Sequence, residues 1–204
     1  KKLKVVCVGL GFGGAFVPIY KDHPAVGNIG IFDTDTGRME EFARTHGIQR
    51  QYHSFDEILR DKEVDAVHLV TPIPLHAEQT VAVLDSGKHC ACTVPMATSL
   101  EDLERITAAV RRSGKKYMMM ETTLYTRQFF YARQMLENGE FGKIQFLRGS
   151  HYQDMANWPS YWMGLPPMWY GTHAIAPMRV MAGSRIQKVH CFGSGTMEEW
   201  LARQ

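Results

Sequence analysis

The feature that most constrains the fold is a glycine-rich turn, Gly9-Leu-Gly11-Phe-Gly13-Gly14, which directly follows the apolar run KVVCV. The run predicts a buried β-strand, and the residues after the glycines have a helical pattern. A glycine turn between a strand and a helix is typical of a pyrophosphate site. Gly9 would permit the tight turn, Gly11 would let the backbone approach the pyrophosphate, and Gly14 would let the helix pack close to the strand. Phe12 and Gly13 complete the predicted binding loop, where the helix N-terminus offers N–H groups to phosphate.

A carboxylate stands at the second position that a dinucleotide site needs. The strand-like segment NIGIFD ends at Asp33, about 20 residues beyond the last glycine. Asp33 is expected to accept hydrogen bonds from the adenosine ribose hydroxyls and to repel a 2′-phosphate, which favours NAD over NADP as the cofactor. Arg38 lies nearby and weakens this preference.

Strand-like and helical segments alternate six times through the first part of the chain. This alternation predicts an α/β fold, in which residues 1–122 form a Rossmann domain with a doubly wound parallel sheet in the order 3-2-1-4-5-6. Ligands of such sheets bind outside the carboxyl ends of the strands. Further residues that follow strands there are predicted to bind the cofactor: Thr71, Pro72, His76, Thr93 and Pro95. For His76, a structural imidazole at a helix start is an equally good interpretation.

The pattern changes after about residue 122. Residues 123–204 predict a helix up to about Gly139, a strand over 143–154, a helix from about Trp169 to Met181 and a strand over 186–195. We expect a second α/β domain, which is incomplete in this chain or depends on a partner, because so few strands make a marginal sheet.

Composition excludes several classes of function. The net charge is +2 without a basic run or an acidic tail, so neither nucleic acid nor a membrane surface is expected as a partner. The cysteines Cys7, Cys90, Cys92 and Cys191 are expected to be buried, reduced thiols of a cytoplasmic protein. Cys90 and Cys92 lack the nearby Cys or His pair that a metal site would need, so no metal is predicted.

Several motifs together resemble the Gfo/Idh/MocA family of glucose–fructose oxidoreductase and inositol dehydrogenase. The resemblance rests on GLGFGG, TPIPLHAEQTVAVLDSGKHC, Pro95, LENGEFGKIQF and GTHAI. It implies a Rossmann domain followed by an α/β domain with an open, largely antiparallel sheet. It also implies a nicotinamide cofactor, sugar or polyol substrates, and a homodimer or homotetramer.

Two positions depart from the pattern of that family. Members commonly carry Glu-Lys-Pro where this chain has Thr93-Val94-Pro95, so Val94 replaces a catalytic lysine. Many members also have an aspartate four residues before the histidine of GTHAI, where this chain has Trp169. Both departures resemble the NAD-dependent α-N-acetylgalactosaminidases, which use a Tyr-x-x-His motif, matched here by Tyr170 and His173, and a strand tyrosine similar to Tyr152.

Oxidation of a sugar hydroxyl needs a base within hydrogen-bond reach of its proton, and valine cannot act as one. His173 is the best-placed base, since its intrinsic pKa is near neutrality, and Tyr170, Tyr152 and Asp154 are further catalytic candidates. Aromatic side chains with a polar edge suit sugars, and the residues predicted to contact substrate are Trp158, Trp162, Trp169 and Glu121.

Three functions are consistent with these residues. The first is an NAD-dependent oxidoreductase that acts on a sugar, polyol or glycoside by hydride transfer. The second is a glycoside-cleaving enzyme in which transient oxidation acidifies a neighbouring C–H and permits elimination. The third is a non-enzymatic nucleotide sensor, which is disfavoured because His173, Tyr170, Tyr152 and Asp154 are all present.

Overall fold

A computed structural model of the chain describes residues 1–154, 158, 162 and 165–193. The chain divides into two compact units, Lys1–Met120 and Glu121–Gln204. In the described residues, every helix is too short or too polar to cross a membrane.

The first unit contains the predicted parallel sheet. Its six strands are Leu3–Val8 (β1), Val26–Phe32 (β2), Arg50–Gln51 (β3), Ala66–Leu69 (β4), His89–Thr93 (β5) and Tyr117–Met120 (β6). They pair in the order β3-β2-β1-β4-β5-β6, and every pair is parallel, which confirms the predicted topology.

Helices connect these strands, and three of the five begin at a capping side chain. They are Val17–Asp22 (α1), Thr36–His46 (α2), Phe55–Arg60 (α3), His76–Asp85 (α4) and Leu100–Ser113 (α5). The side chains of Asp35, Ser54 and Ser99 each accept a hydrogen bond from a backbone N–H in the first turn of α2, α3 and α5. A left-handed glycine ends both α2 and α5, at Gly47 and Gly114.

The alternation of side chains along β1 explains why helices cover both faces of the sheet. Val6 and Val8 belong to a buried cluster that includes residues of α3, α4 and α5. Val5 and Cys7 belong to a second cluster that includes residues of α1 and α2. Successive residues of a strand point to opposite faces, so an apolar run such as KVVCV fits a strand between two helical layers.

Three of the four cysteines are buried, as expected. Burial raises the pKa of the Cys7 and Cys90 thiols to about 12, so both are protonated and unreactive near neutral pH. Cys191 is exposed, which contradicts the expectation that all four would be buried. It lies in a segment that the sequence predicts as a strand, but the described part of that segment, residues 186–193, forms no strand.

The main elements in the described part of the second unit are two helices, Arg127–Glu137 (α6) and Thr172–Ala182 (α7). Short 3₁₀ turns over Thr122–Tyr125 and Pro167–Tyr170 precede them. Neither predicted strand of this unit forms within the described residues, which cover 143–154 and the second segment as far as residue 193. A strand needs a hydrogen-bonded neighbour, and two isolated strands make only a marginal sheet. Residues 194 and 195, the end of the second predicted strand, lie outside the described residues.

Candidate functional site

The register of the sheet brings the predicted cofactor residues to one edge. Val8 pairs with both Phe32 and Leu69, and Thr93 pairs with Met120 at the last position of β6. Leu69, the last residue of β4, pairs with Cys92, one residue before the end of β5, so the carboxyl ends of β1, β2, β4 and β5 agree to within one residue. The residues that follow these strands, including the glycine turn, occupy the edge where open α/β sheets bind ligands.

The glycine turn has the geometry expected of a phosphate loop at two positions. Gly9 has a φ of 90°, and a side chain there would overlap the carbonyl oxygen of Val70, so only glycine is accommodated. At Gly11, by contrast, a Cβ would meet nothing within 4 Å. This open space above the backbone is what close approach of a pyrophosphate requires, so the turn fits a dinucleotide.

The predicted role of Gly14 is wrong in detail. A Cβ on Gly14 would lie 2.8 Å from the ring of Phe42, which belongs to α2 and not to a strand. The close approach to the sheet occurs at Gly13, whose added Cβ would be 3.0 Å from Val70 and 3.2 Å from the Cys7 sulfur. The N–H of Gly14 donates to Leu10 within the turn, so the candidate phosphate donors are the N–H groups of residues 11–13.

Phe12 projects from this loop. Its side chain is exposed, and its ring packs edge-on against Phe16 with centroids 5.3 Å apart. Phe12 is therefore an exposed aromatic residue of the predicted binding loop.

Asp33 joins the end of β2 to the glycine turn. Its Oδ2 accepts a hydrogen bond from the Leu10 N–H at 2.7 Å, and its Oδ1 accepts from the Asp35 N–H at 2.8 Å. Arg38 Nη1 lies 3.3 Å from Oδ2 and 3.4 Å from Oδ1. The sequence therefore identified a buried carboxylate beside the loop, although part of its bonding capacity serves the loop itself.

His76 braces two neighbouring turns at the same edge. Its ring is buried, with Nδ1 2.8 Å from the carbonyl oxygen of Pro95 and Nε2 2.8 Å from that of Thr71. Burial lowers the pKa of His76, while the two carbonyl contacts oppose that shift. Both carbonyl oxygens only accept, so a neutral His76 ring donates to one of them, and only the protonated ring donates to both. The ring lies between the turns that carry Thr71 and Pro95.

The hydroxyls of the two threonines at this edge also have partners. Thr71 Oγ1 donates to Gln79 Oε1 at 2.6 Å, and Thr93 Oγ1 donates to the Leu69 carbonyl at 3.4 Å. Val94 is buried between Thr93 and Pro95. The edge of the first unit therefore offers a cofactor backbone groups and shape, but it has no acid or base at the position of the missing lysine.

The second unit contains a chain of three polar side chains. Glu121, only 2% exposed, accepts on Oε1 from the N–H and the hydroxyl of Thr123, at 3.1 and 2.8 Å. His173 Nδ1 lies 2.5 Å from the same oxygen, and His173 Nε2 lies 3.2 Å from the hydroxyl of Tyr170. Burial alone would raise the pKa of Glu121, but the hydrogen bonds from His173 and Thr123 outweigh it and the pKa is lowered.

For a neutral His173 ring, these contacts set the direction of each hydrogen bond. An ionised carboxylate only accepts, so the Nδ1–H of His173 donates to Glu121. The Nε2 of a neutral imidazole then accepts, and the hydroxyl of Tyr170 is its donor. Glu121, which the sequence predicts to contact substrate, is a hydrogen-bond partner of His173. The sequence placed Glu121 at a strand end, but nothing in the sequence linked it to a residue about 50 positions later.

Aromatic rings surround Tyr170. Trp162 and Trp158 lie with ring centroids 4.9 and 6.2 Å from that of Tyr170, and 4.8 Å from each other. His151, which sequence reasoning missed, lies 5.7 Å from Tyr170 and 4.9 Å from His173. The predicted Trp158 and Trp162 are thus part of one cluster with the catalytic candidates, and Trp169 is partly buried in the same 3₁₀ turn as Tyr170.

Tyr152 and Asp154 are arranged differently from the prediction. The sequence predicts that they face one side of a strand, but residues 151–154 form no strand, and both side chains are exposed, Tyr152 at 87%. His151 of the same segment lies beside the ring of His173. Alternation along the sequence predicts which face a side chain occupies only if the segment forms a strand.

A parallel sheet with a glycine turn after its first strand and a carboxylate after its second defines a dinucleotide-binding α/β protein. The sequence matches the model of an oxidoreductase family with an NAD-binding Rossmann fold, GFO_IDH_MocA, over residues 3–121. It also matches the GFO/IDH/MocA C-terminal domain over residues 129–200. The chain belongs to the Gfo/Idh/MocA oxidoreductase family, as its motifs indicated.

Individual relatives include a dehydrogenase and a glycosyl hydrolase. The 1-carboxy-3-chloro-3,4-dihydroxycyclohexa-1,5-diene dehydrogenase of Comamonas testosteroni is 25% identical over 148 residues, which cover 71% of this chain and 37% of that protein. A glycosyl hydrolase family 109 protein of Stenotrophomonas maltophilia is 29% identical over 112 residues, which cover 55% of this chain and 25% of that protein. The chain therefore spans less than half the length of either relative.

Solved structures share the fold. A probable dehydrogenase from Thermotoga maritima superposes with a TM-score of 0.79 at 21% identity, over 98% of this chain and 61% of that chain. At this identity the similarity establishes the fold and not the reaction.

Proposed function

We propose that the protein is an NAD-dependent oxidoreductase that oxidises a secondary hydroxyl group of a sugar, a polyol or a related cyclic alcohol. The observation that carries this proposal is the chain of hydrogen bonds from Glu121 through His173 to Tyr170. It supplies an acid–base pair in a family member whose usual lysine position holds a buried valine, Val94.

The first unit would hold the cofactor. The loop N–H groups of residues 11–13 would bind the pyrophosphate above the open face of Gly11, and Asp33 would bind the adenosine ribose. His76 keeps the turns of Thr71 and Pro95 at a fixed separation beside this loop. When bound, the nicotinamide supplies the acceptor for the hydride that leaves the alcohol carbon.

The second unit would take the hydroxyl proton. As the alcohol C–H gives up its hydride, its O–H proton passes to the oxygen of Tyr170, while the proton of Tyr170 passes to His173 Nε2. His173 then carries both ring protons and a positive charge, and the carboxylate of Glu121 stabilises that charge through Nδ1. Atoms and charge balance, because one hydride and one proton leave the alcohol and a ketone remains.

The aromatic cluster supports a ring-shaped substrate. Trp158 and Trp162 flank Tyr170, so a substrate that reaches the Tyr170 hydroxyl would pass close to apolar ring surfaces. Flat aromatic surfaces next to a hydrogen-bonding group suit the apolar face and the hydroxyls of a cyclic polyol.

A second function has specific support. Glycoside cleavage by transient oxidation needs an additional base to remove the acidified C–H proton. His151 could be this base, because the centroids of the His151 and His173 rings are 4.9 Å apart. The glycosyl hydrolase family 109 relative supports the same alternative. In that case the reaction would release an alcohol from the sugar with no net change in the amount of NADH.

The two functions are separated by mixing the purified protein with NAD and matched panels of free polyols and chromogenic glycosides. NADH that accumulates with intact substrate supports the dehydrogenase. Release of the chromogenic alcohol without net NADH supports glycoside cleavage. Binding of NAD without any product across both panels would contradict both and favour a nucleotide sensor.

We also expect a homodimer or homotetramer in the cytoplasm. Exposed apolar side chains in the second unit support self-association, among them Phe146 at 82% and Phe192 at 93% exposure. Light scattering of the purified protein would give the mass of the assembly, and a monomer at all concentrations would contradict the expectation.

A further inference from the structure

Thr123 holds the carboxylate of Glu121 from one side. Glu121 precedes the 3₁₀ turn Thr122–Tyr125, and its side chain caps that turn. Its Oε1 accepts from the backbone N–H of Thr123 at 3.1 Å and from the hydroxyl of Thr123 at 2.8 Å. A cap needs only the N–H, so the hydroxyl is an additional donor to a carboxylate that is almost completely buried.

The hydrogen bonds of Glu121 converge on one of its two oxygens. The oxygen that accepts from Thr123, Oε1, also lies 2.5 Å from His173 Nδ1. The other oxygen, Oε2, is buried and has no hydrogen-bond partner among the described residues. In that part of the chain, the orientation of the carboxylate toward His173 therefore depends on the two donors of Thr123.

Thr123 is itself anchored by the start of α6. Its carbonyl oxygen accepts from the hydroxyl of Thr126 at 3.1 Å and from the Thr126 N–H at 3.5 Å. Thr126 is the cap of α6, because its hydroxyl oxygen accepts from the Phe129 N–H at 3.3 Å. The first turn of a helix thus fixes the backbone from which Thr123 reaches Glu121.

We propose that Thr123 is a positioning residue for proton transfer, whose hydroxyl keeps Glu121 Oε1 directed at Nδ1 of His173. This proposal rests on the proposed oxidoreductase function. Thr123 acts through Glu121 and His173 and not on the substrate. The acceptor at Nδ1 decides which ring nitrogen of a neutral histidine carries the proton, so Thr123 would keep His173 Nε2 free to accept from Tyr170.

Loss of the hydroxyl should disturb this arrangement without breaking the turn. Thr123→Val would leave the N–H that caps the turn, but it would remove one of the two restraints on the carboxylate. An imidazole whose acceptor at Nδ1 is no longer fixed also populates the other tautomer. In that tautomer Nε2 carries the proton and cannot accept one from Tyr170.

The test compares three variants of the purified protein. Thr123→Val keeps the branched shape of threonine and removes the hydroxyl, whereas Thr123→Ser keeps the hydroxyl. Thr122→Val is the matched control, because it makes the same chemical change at an exposed threonine of the same turn. Thermal unfolding of each variant verifies that the protein is folded.

The first measurement is proton NMR, which needs no turnover. An Nδ1–H that donates to a carboxylate gives a downfield proton resonance, and His173→Asn assigns it by removing it. We expect Thr123→Val to shift or abolish this resonance, while Thr123→Ser and Thr122→Val retain it. An unchanged resonance in Thr123→Val would overturn the proposal, and so would a wild-type spectrum without the resonance.

The second measurement is steady-state oxidation of a polyol that the wild-type protein accepts. We expect Thr123→Val to lower kcat by about 10-fold, the usual effect of losing one hydrogen bond to a charged group. KM should stay unchanged, and Thr123→Ser should restore most of kcat. Equal losses in Thr123→Ser or Thr122→Val would show a merely structural effect and overturn the proposal. If the wild-type protein oxidises no polyol, the proposed function fails, and the NMR spectra still decide whether Thr123 positions the Glu121–His173 pair.

Discussion

The two units each contain a histidine with contacts at both ring nitrogens, and the chemical difference between those contacts separates structure from catalysis. His76 in the first unit contacts two backbone carbonyls, which only accept hydrogen bonds. His173 in the second unit contacts a carboxylate and a phenol hydroxyl, so it has one acceptor and one donor. Only the second arrangement allows a proton to pass through a neutral ring, and for this reason we propose a structural role for His76 and proton transfer for His173.

The largest effect should come from removing the imidazole that transfers the proton. We expect His173→Asn to lower turnover by about 10²- to 10⁴-fold, the usual contribution of general acid–base catalysis. NAD affinity should stay unchanged, because His173 belongs to the second unit and the phosphate loop to the first. NADH formation and calorimetric NAD binding measure the two quantities, with the exposed His190 replaced by asparagine as control. Near-normal turnover in His173→Asn would remove the residue from the mechanism.

Replacement of His76 should instead affect stability and NAD binding more than turnover. Asparagine there keeps at most one of the two carbonyl contacts, so His76→Asn should lower the free energy of unfolding by about 1–3 kcal/mol. It should also weaken NAD binding, since the turns of Thr71 and Pro95 lose their common partner. Chemical denaturation and NAD titration measure both. The comparison fails if His76→Asn reduces turnover at saturating NAD as strongly as His173→Asn does.

A smaller effect, dependent on pH, should arise at Glu121. The pKa of Glu121 is lowered in the folded protein, so its ionised form contributes stability above the ordinary pKa of 4.5, and this contribution is lost as the pH falls below it. The difference in unfolding free energy between wild type and Glu121→Gln should therefore shrink between about pH 6 and about pH 3. Denaturation curves at both pH values measure this difference in unfolding free energy, with Glu137→Gln on α6 as control. If the difference in unfolding free energy grew on acidification, it would contradict a stabilising role for the ionised carboxylate of Glu121.

The first unit was largely predictable because its signals are local. A glycine turn after an apolar run fixes the first strand and the phosphate loop, and continuous apolar strands require helices on both faces. The strand order then follows from right-handed crossovers, and the register places Asp33 and Thr71 at the loop. What the sequence did not show is which neighbour each glycine meets, such as Phe42 beside Gly14.

The second unit was predicted less well because its signals depend on distant partners. The two helices were found from their periodicity, but the segments 143–154 and 186–193 form no strands in the structure. The link between Glu121 and His173 joins residues far apart in sequence, so no spacing rule reveals it. His151 was missed for the same reason, since its role follows from a ring contact and not from a motif.

The most direct test of the central claim, that Tyr170 and His173 transfer the proton in place of a lysine, is single-turnover NADH formation by Tyr170→Phe. This change removes one hydroxyl and preserves the ring that packs on Trp162. Tyr125→Phe, which alters an exposed tyrosine of the same unit, is the matched control. We expect a rate at least about 100-fold lower for Tyr170→Phe, unchanged NAD affinity, and a normal rate for the control. Equal rates for Tyr170→Phe and wild type would contradict it.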